Sequence, residues 1–114
     1  DMFLMPSRYE PCGLNQMYSM RYGTVPIVRA TGGLDDAVDD VDERTGAGTG
    51  VKFRDFDVSA MLATLREAIR VYGNRDRWRL IQQAGMRRDF SWAASAERYV
   101  QEYAELLATA RGRP

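Results

Sequence analysis

The chain has 114 residues, with 16 basic side chains against 16 acidic ones, 45% hydrophobic and 28% charged residues. That profile fits one small globular domain or part of a larger one, and its zero formal charge steers it toward neither nucleic acid nor an anionic membrane. One cysteine and no histidine exclude an internal disulfide, the usual zinc sites and every Ser-His or Cys-His nucleophile pair, leaving carboxylates, arginines, Lys52, hydroxyls and backbone amides.

"MFLM" at 2–5 is a short apolar run closed by Pro6-Ser7 and predicts a buried strand ending at a turn. Leu14, Met17 and Tyr18 fall at helical spacing and predict a helix over Leu14–Tyr22 with those residues inward and Gly23 as its stop. "VPIVRA" at 25–30 is a continuous run rich in β-branched residues, the pattern of a strand covered on both faces. The turn "TGGLDD" follows, and the acidic, aperiodic stretch from Ala37 to Gly50 predicts a surface loop with a short helical turn at its start. "GVKF" at 50–53 predicts a third strand.

Asp57 is placed to cap a helix whose Val58, Met61, Leu62, Leu65, Ile69 and Tyr72 form one apolar face, ending at Gly73. A further helix is expected over Arg75–Ala84 with Trp78 and Ile81 inward and Gly85 at its end. The last, Ala94–Ala110, carries Tyr99, Tyr103, Leu106 and Leu107 on one stripe; "DFSW" marks the break before it, and the tail 111–114 is expected to fray. No apolar run approaches the ~20 residues of a membrane span, so no membrane partner is expected.

The order β-α-β, loop, β, then helices predicts an α/β fold with a parallel sheet of about three strands followed by C-terminal helices. Three short strands cover the apolar faces of four helices poorly. The expectation is therefore a fragment lacking strands before residue 1, or a chain covered by a second copy. An open sheet edge is also a surface on which copies can associate.

For chemistry the informative stretch is Ser7–Gln16. A helix opening near Gly13 would leave the amides of Gly13, Leu14 and Asn15 without intrahelical partners at the positive end of the dipole, where a diphosphate docks. Gly13 lets a ligand approach the backbone closely. Glu10, stiffened by Pro11, is placed to accept hydrogen bonds from sugar hydroxyls or to balance positive charge developing at an anomeric carbon; on composition alone, capping or solvating the loop is the commoner role of such a residue. Cys12 reads as a small packed side chain with no base beside it. Thr31, Gly32 and Gly33 follow the second strand at the carboxyl edge, where ligands gather in open α/β sheets, although tight-turn geometry alone accounts for paired glycines. Asp35, Asp36, Asp39, Asp40 and Asp42 lack the spacing of a calcium loop and are expected to be solvated.

"PSRYEPCGLNQMYSMRYGTVPIVRATGGLDDAV", followed by "GTGVKF" and "DFSW", closely resembles the C-terminal domain of bacterial glycogen synthases and plant starch synthases, over nearly the whole chain. Those are retaining glycosyltransferases of the GT-B type, in which two Rossmann-like domains face each other across a cleft and the C-terminal one binds the nucleotide sugar. The resemblance implies that residues 1–114 are the second half of that C-terminal domain. It implies transfer of glucose from ADP-glucose to the non-reducing end of an α-1,4-glucan, without a metal or other cofactor.

By motif, Glu10 matches the family's active-site glutamate, and Cys12, Gly13, Leu14 and Asn15 match the segment whose amides meet the donor phosphates. Many members have Thr at the position of Asn15. Thr31, Gly32 and Gly33 match the turn lining the same cleft, and Tyr9 and Tyr18 fall in the nucleotide neighbourhood. A wider group of retaining transferases has a second carboxylate eight residues after the first; here that position is Tyr18, so no carboxylate contact to the ribose is expected.

The family's donor-phosphate Arg and Lys, and its Lys-x-Gly-Gly motif, have no counterpart in these residues, so the 114-residue piece alone is expected to be inactive. The partners implied for the whole enzyme are the donor and the glucan, in the bacterial cytoplasm or a plastid stroma. The alternative is a non-catalytic glycosyltransferase-like module that binds nucleotide or glucan.

Overall fold

The computed structural model describes residues 1–111. Among them three parallel strands, β1 (Met2–Met5), β2 (Val25–Arg29) and β3 (Val51–Phe53), form one sheet in the order β1-β2-β3. Five helices accompany it: α1 (Asn15–Arg21), α2 (Gly33–Ala37), α3 (Val58–Gly73), α4 (Arg75–Met86) and α5 (Trp92–Arg111). This is the α/β arrangement that the sequence predicts. The tail, expected to fray, lies outside the described residues apart from Arg111.

Strand β2 is central, and Val25 to Val28 are all buried. Its Pro26 has no N–H to give a ladder. Val25 donates to Asp1 on the β1 side at 3.0 Å, so by alternation Pro26 faces β3, one residue before that pairing starts at Ile27 and Val51. The missing donor therefore falls where no ladder bond is needed.

Alternation along β2 divides the core in two. Val25 and Ile27 pack with Val51, Val41, Ala68, Val71, Trp78 and Ile81 beneath α3 and α4. Val28 packs on the other face with Met5, Met20, Leu34 and Val38 beneath α1 and α2. Each fully buried Val, Leu or Ile is worth roughly 1.5–3 kcal/mol relative to exposure, so both faces of β2 hold it in place.

Helix ends follow the chemistry of their sequences. Gly23 takes φ +73°, its N–H reaches Met20 O at 3.0 Å and that of Thr24 reaches Ser19 O at 2.8 Å, the paired bonds of a Schellman stop. Asp57 caps α3 through the N–H groups of Ser59 (2.7 Å) and Ala60 (3.0 Å). Asn74 caps α4 through Arg77 N–H at 3.2 Å, and Ser91 caps α5 through Ala94 N–H at 3.2 Å.

Several expectations need correction. The inward face of α1 is Gln16 and Met20, while Leu14 and Tyr18 are exposed; the buried amide has carbonyl partners, which lets it displace the apolar residues. On α3 the buried residues are Thr64, Ala68 and Val71, and Val58, Leu62 and Ile69 face outward, because close contact with the sheet selects small side chains. Gly85 is not a stop: it lies inside α4, where a Cβ would meet Met20 Cγ at 3.2 Å, so it sets the approach of α4 to α1.

Strand β1 is half open, with Phe3 and Leu4 exposed at the sheet edge. The helical turn expected within 37–50 forms earlier, as α2, and the following loop is not merely solvated. Its Val38 and Val41 plug the two cores, and isolated bridges pair Asp40 with Gly50 and Asp42 with Ala47. The α5 stripe of Tyr99, Tyr103, Leu106 and Leu107 is exposed; helical periodicity reveals an apolar face but not what lies against it.

Candidate functional site

The carboxyl ends of all three strands open into loops on one side of the sheet. Arg29, the last residue of β2, ties them together: its Nη1 donates to Arg8 O at 2.8 Å and its Nε to Arg54 O at 3.1 Å. The same guanidinium lies 5.3 Å from the ring centre of Phe56. Arg29 was not among the sequence-predicted site residues; an arginine ending a central apolar strand was the available signal.

The loop after β1 is fastened to the turn after β2 backbone to backbone. Gly33 N–H donates to Glu10 O at 3.0 Å. A Cβ on Gly33 would lie 2.1 Å from Cys12 O, and one on Gly32, itself at φ +48°, 2.2 Å from Glu10 O. Glycine is required at both positions by this close approach, which is a stronger reason than the tight turn alone. Thr31 completes the turn, its carbonyl accepting Leu34 N–H at 3.1 Å.

Helix α1 starts at Asn15, one residue later than the Leu14–Tyr22 span expected, with Leu14 as N-cap and no side chain capping it. Among the described residues the first N–H of this segment to reach a backbone carbonyl is that of Tyr18, to Leu14 O at 3.0 Å. The amides of Leu14 and Asn15 are thus open, and no acidic residue lies in the first turn to occupy the dipole's positive end. Gly13, at φ +73°, turns the chain into the helix.

Gln16 was missed from sequence. It is fully buried, and its Nε2 donates to Cys12 O at 2.9 Å and Gly13 O at 3.0 Å. Glu10 is half-buried beside Gly13, whose Cβ position is 3.1 Å from Glu10 Cγ. The structure therefore brings together Glu10, Cys12, Gly13, Gly32 and Gly33, with Leu14 and Asn15 directly following. Tyr9 and Tyr18 are exposed, Tyr18 one turn further along α1. The Cys12 thiol is exposed and free, not packed as its residue type suggests.

A concavity of about 290 Å³ runs beside this loop, lined in part by Cys12, Met17, Gly33, Arg88 and Arg98. Arg88 is itself held by Asp39, at 3.0 Å. Asp35, Asp40 and Asp42 serve the fold as well. Lys52 Nζ lies 2.7 Å from Asp35, and its hydrogen bond holds the Asp35 carboxyl below its ordinary value. Asp40 Oδ1 accepts Lys52 N–H at 2.8 Å, and Asp42 Oδ1 accepts Arg44 N–H at 2.8 Å. Asp36, Asp39 and Asp40 are exposed, as expected of a solvated set, but Asp39 and Asp40 also make these fixed bonds.

No protein-family model matches the chain. It is 56% identical over 103 residues to a glycogen synthase of Koribacter versatilis (strain Ellin345), which covers 90% of this chain and 21% of that protein. With a glycogen synthase of Anaeromyxobacter sp. (strain Fw109-5) it shares 55% over 108 residues, 95% of this chain and 22% of the relative. The chain thus spans about a fifth of the length of these curated relatives. Among solved structures, the catalytic domain of Starch Synthase IV from Arabidopsis thaliana bound to ADP and acarbose matches with a TM-score of 0.76 and 40% identity, over 92% of this chain and 22% of that one. Sucrose-phosphate synthase from Thermosynechococcus elongatus matches with a TM-score of 0.63 and 29% identity, over 95% and 26%.

Proposed function

We propose, from its homology to the glycogen synthases, that the chain is the second half of the nucleotide-sugar-binding domain of a retaining glucosyltransferase. The complete enzyme moves glucose from ADP-glucose to the non-reducing end of an α-1,4-glucan. The observation that carries this reading is the uncapped start of α1 beside Glu10.

Open amides at Gly13, Leu14 and Asn15 take the donor diphosphate, and the helix dipole favours its negative charge as the bond to glucose breaks. Glu10 balances the positive charge that grows on the departing sugar. Gly32 and Gly33 support both by clamping the Glu10–Cys12 backbone. Tyr9 and Tyr18 border the nucleotide. The chain's own residues supply no metal role in this scheme.

The family's remaining phosphate cations and the opposing domain lie outside these residues, so donor charge and acceptor glucan both need the rest of the enzyme. The ADP and acarbose held by the Arabidopsis domain are consistent in chemistry with a nucleotide and a glucan-like ligand here. A soluble compartment, the bacterial cytoplasm or a plastid stroma, fits a nucleotide-sugar donor; no helix among the described residues is long and apolar enough to cross a membrane.

The test is glucan elongation from radiolabelled ADP-glucose. The complete polypeptide carrying this chain is expected to elongate glucan, and the isolated 114 residues are expected not to. Elongation by the isolated chain would contradict the division of labour; none by the complete polypeptide would contradict the function.

A further inference from the structure

We infer that Gln16 is a positioning residue whose side-chain amide turns the backbone N–H groups of Gly13 and Leu14 toward the donor diphosphate. The inference rests on the diphosphate reading given above and adds the device that orients the amides.

A trans peptide unit is planar, and its C=O and N–H point in opposite directions. Among the described residues there is no cis peptide. Gln16 Nε2 holds Cys12 O at 2.9 Å and Gly13 O at 3.0 Å. The first carbonyl shares its peptide unit with Gly13 N–H, and the second shares its unit with Leu14 N–H. Drawing both carbonyls inward therefore turns two consecutive N–H groups outward, the arrangement of an anion-binding nest. The next unit is held differently: Leu14 O accepts Tyr18 N–H at 3.0 Å, so Asn15 N–H is oriented by the helix itself and not by Gln16.

The side chain has one workable orientation. Exchanging its oxygen and nitrogen would set Oε1 against two carbonyl oxygens, with no donor between them. As it stands, Oε1 is buried without a partner, and such an atom in a folded protein calls for a reason. A leucine of similar size would fill the space and leave no orphaned acceptor. What leucine lacks is the pair of donors on the two carbonyls.

Gly13 belongs to the same device. Its φ of +73° makes the turn, and a Cβ there would stand 2.6 Å from Gln16 Oε1. The positive φ demands glycine there, and the buried amide occupies the space a Cβ would take. Apolar spacing passes over Gln16 because its role is polar and local.

The experiment compares ADP and adenosine binding by calorimetry in the complete polypeptide carrying this chain, for the wild type, Gln16→Leu and Gln16→Glu. Wild type is expected to bind ADP far more tightly than adenosine. Both substitutions are expected to weaken ADP by about tenfold or more, the scale of one or two lost hydrogen bonds to a charged group, and to leave adenosine affinity unchanged. A structural role alone would weaken both ligands together, which would overturn the inference. So would ADP affinity that is unchanged in Gln16→Leu, or in Gln16→Glu should the leucine variant fail to fold. Wild-type affinities that are equal for ADP and adenosine would instead remove the diphosphate reading itself, and the inference with it.

Discussion

The carbonyl of Glu10 accepts the backbone N–H of Gly33 at 3.0 Å. Through this bond the loop that carries the acidic side chain is fixed to the turn that starts α2, and neither can shift without the other. The two are packed so closely that no side-chain atom fits between them.

Replacing Gly33 by Ala is therefore expected to lower stability by at least about 1–3 kcal/mol, the range for overfilling a packed site, since the added carbon would meet Cys12 O at 2.1 Å. Gly73→Ala is the control: nothing lies within 4 Å of its Cβ position at the end of α3. That substitution should gain up to about 1 kcal/mol. Urea midpoints of the two variants check the contrast, and equal midpoints would show that the clamp is slack.

In the complete polypeptide, Glu10→Gln is expected to reduce kcat by at least about tenfold while changing donor KM little, because the carboxylate acts on charge that develops only in the transition state. Steady-state rates with ADP-glucose measure this. An unchanged kcat would remove Glu10 from the chemistry.

Glu67 gives a pH dependence of one sign. Burial raises its pKa above the ordinary 4.5, Glu43 and Asp40 raise it further, and Arg70 opposes them; Arg70 is drawn to Glu43, 2.5 Å away. The folded state keeps a proton that the unfolded chain releases, so stability falls as pH rises from 4.5 through the raised value. Glu67→Gln is expected to be more stable than wild type at pH 7 and to lose that advantage below pH 4.5. Thermal midpoints across pH 3.5–8 measure it.

Asp57 has the opposite sign. The Ser59 hydroxyl, then the Ala60 and Ser59 N–H groups, hold its carboxyl below the ordinary 3.8. Its contribution is complete above pH 3.8 and is lost as pH falls through the lower folded value. Asp57→Ala should lower the thermal midpoint at pH 7 and approach wild type as the pH drops below 3.8. A difference that stays constant down to pH 2 would show that the ionised cap is not the cause.

What could be read from the sequence divides by physical cause. Strands β1, β2 and β3 and the start of α3 were legible because short apolar runs and the Asp57 cap act locally. The family resemblance brought Glu10, Gly13 and Gly33 to one edge of the sheet. Faces were harder: on α1 the residue that turns inward is Gln16, whose burial depends on carbonyls of a loop conformation that periodicity does not encode. Gly85 looked like a stop because glycine commonly ends helices, yet its place is set by Met20, 65 positions earlier in the chain. Arg29 binds carbonyls of two loops distant in sequence, and no spacing rule announces that.

The most direct measurement is a crystal structure of the complete polypeptide with ADP. The diphosphate oxygens are expected at about 3 Å from the amide nitrogens of Gly13, Leu14 and Asn15, with Glu10 facing the space where glucose would sit. ADP bound at another place, leaving residues 10–15 turned to bulk water, would contradict the proposed site.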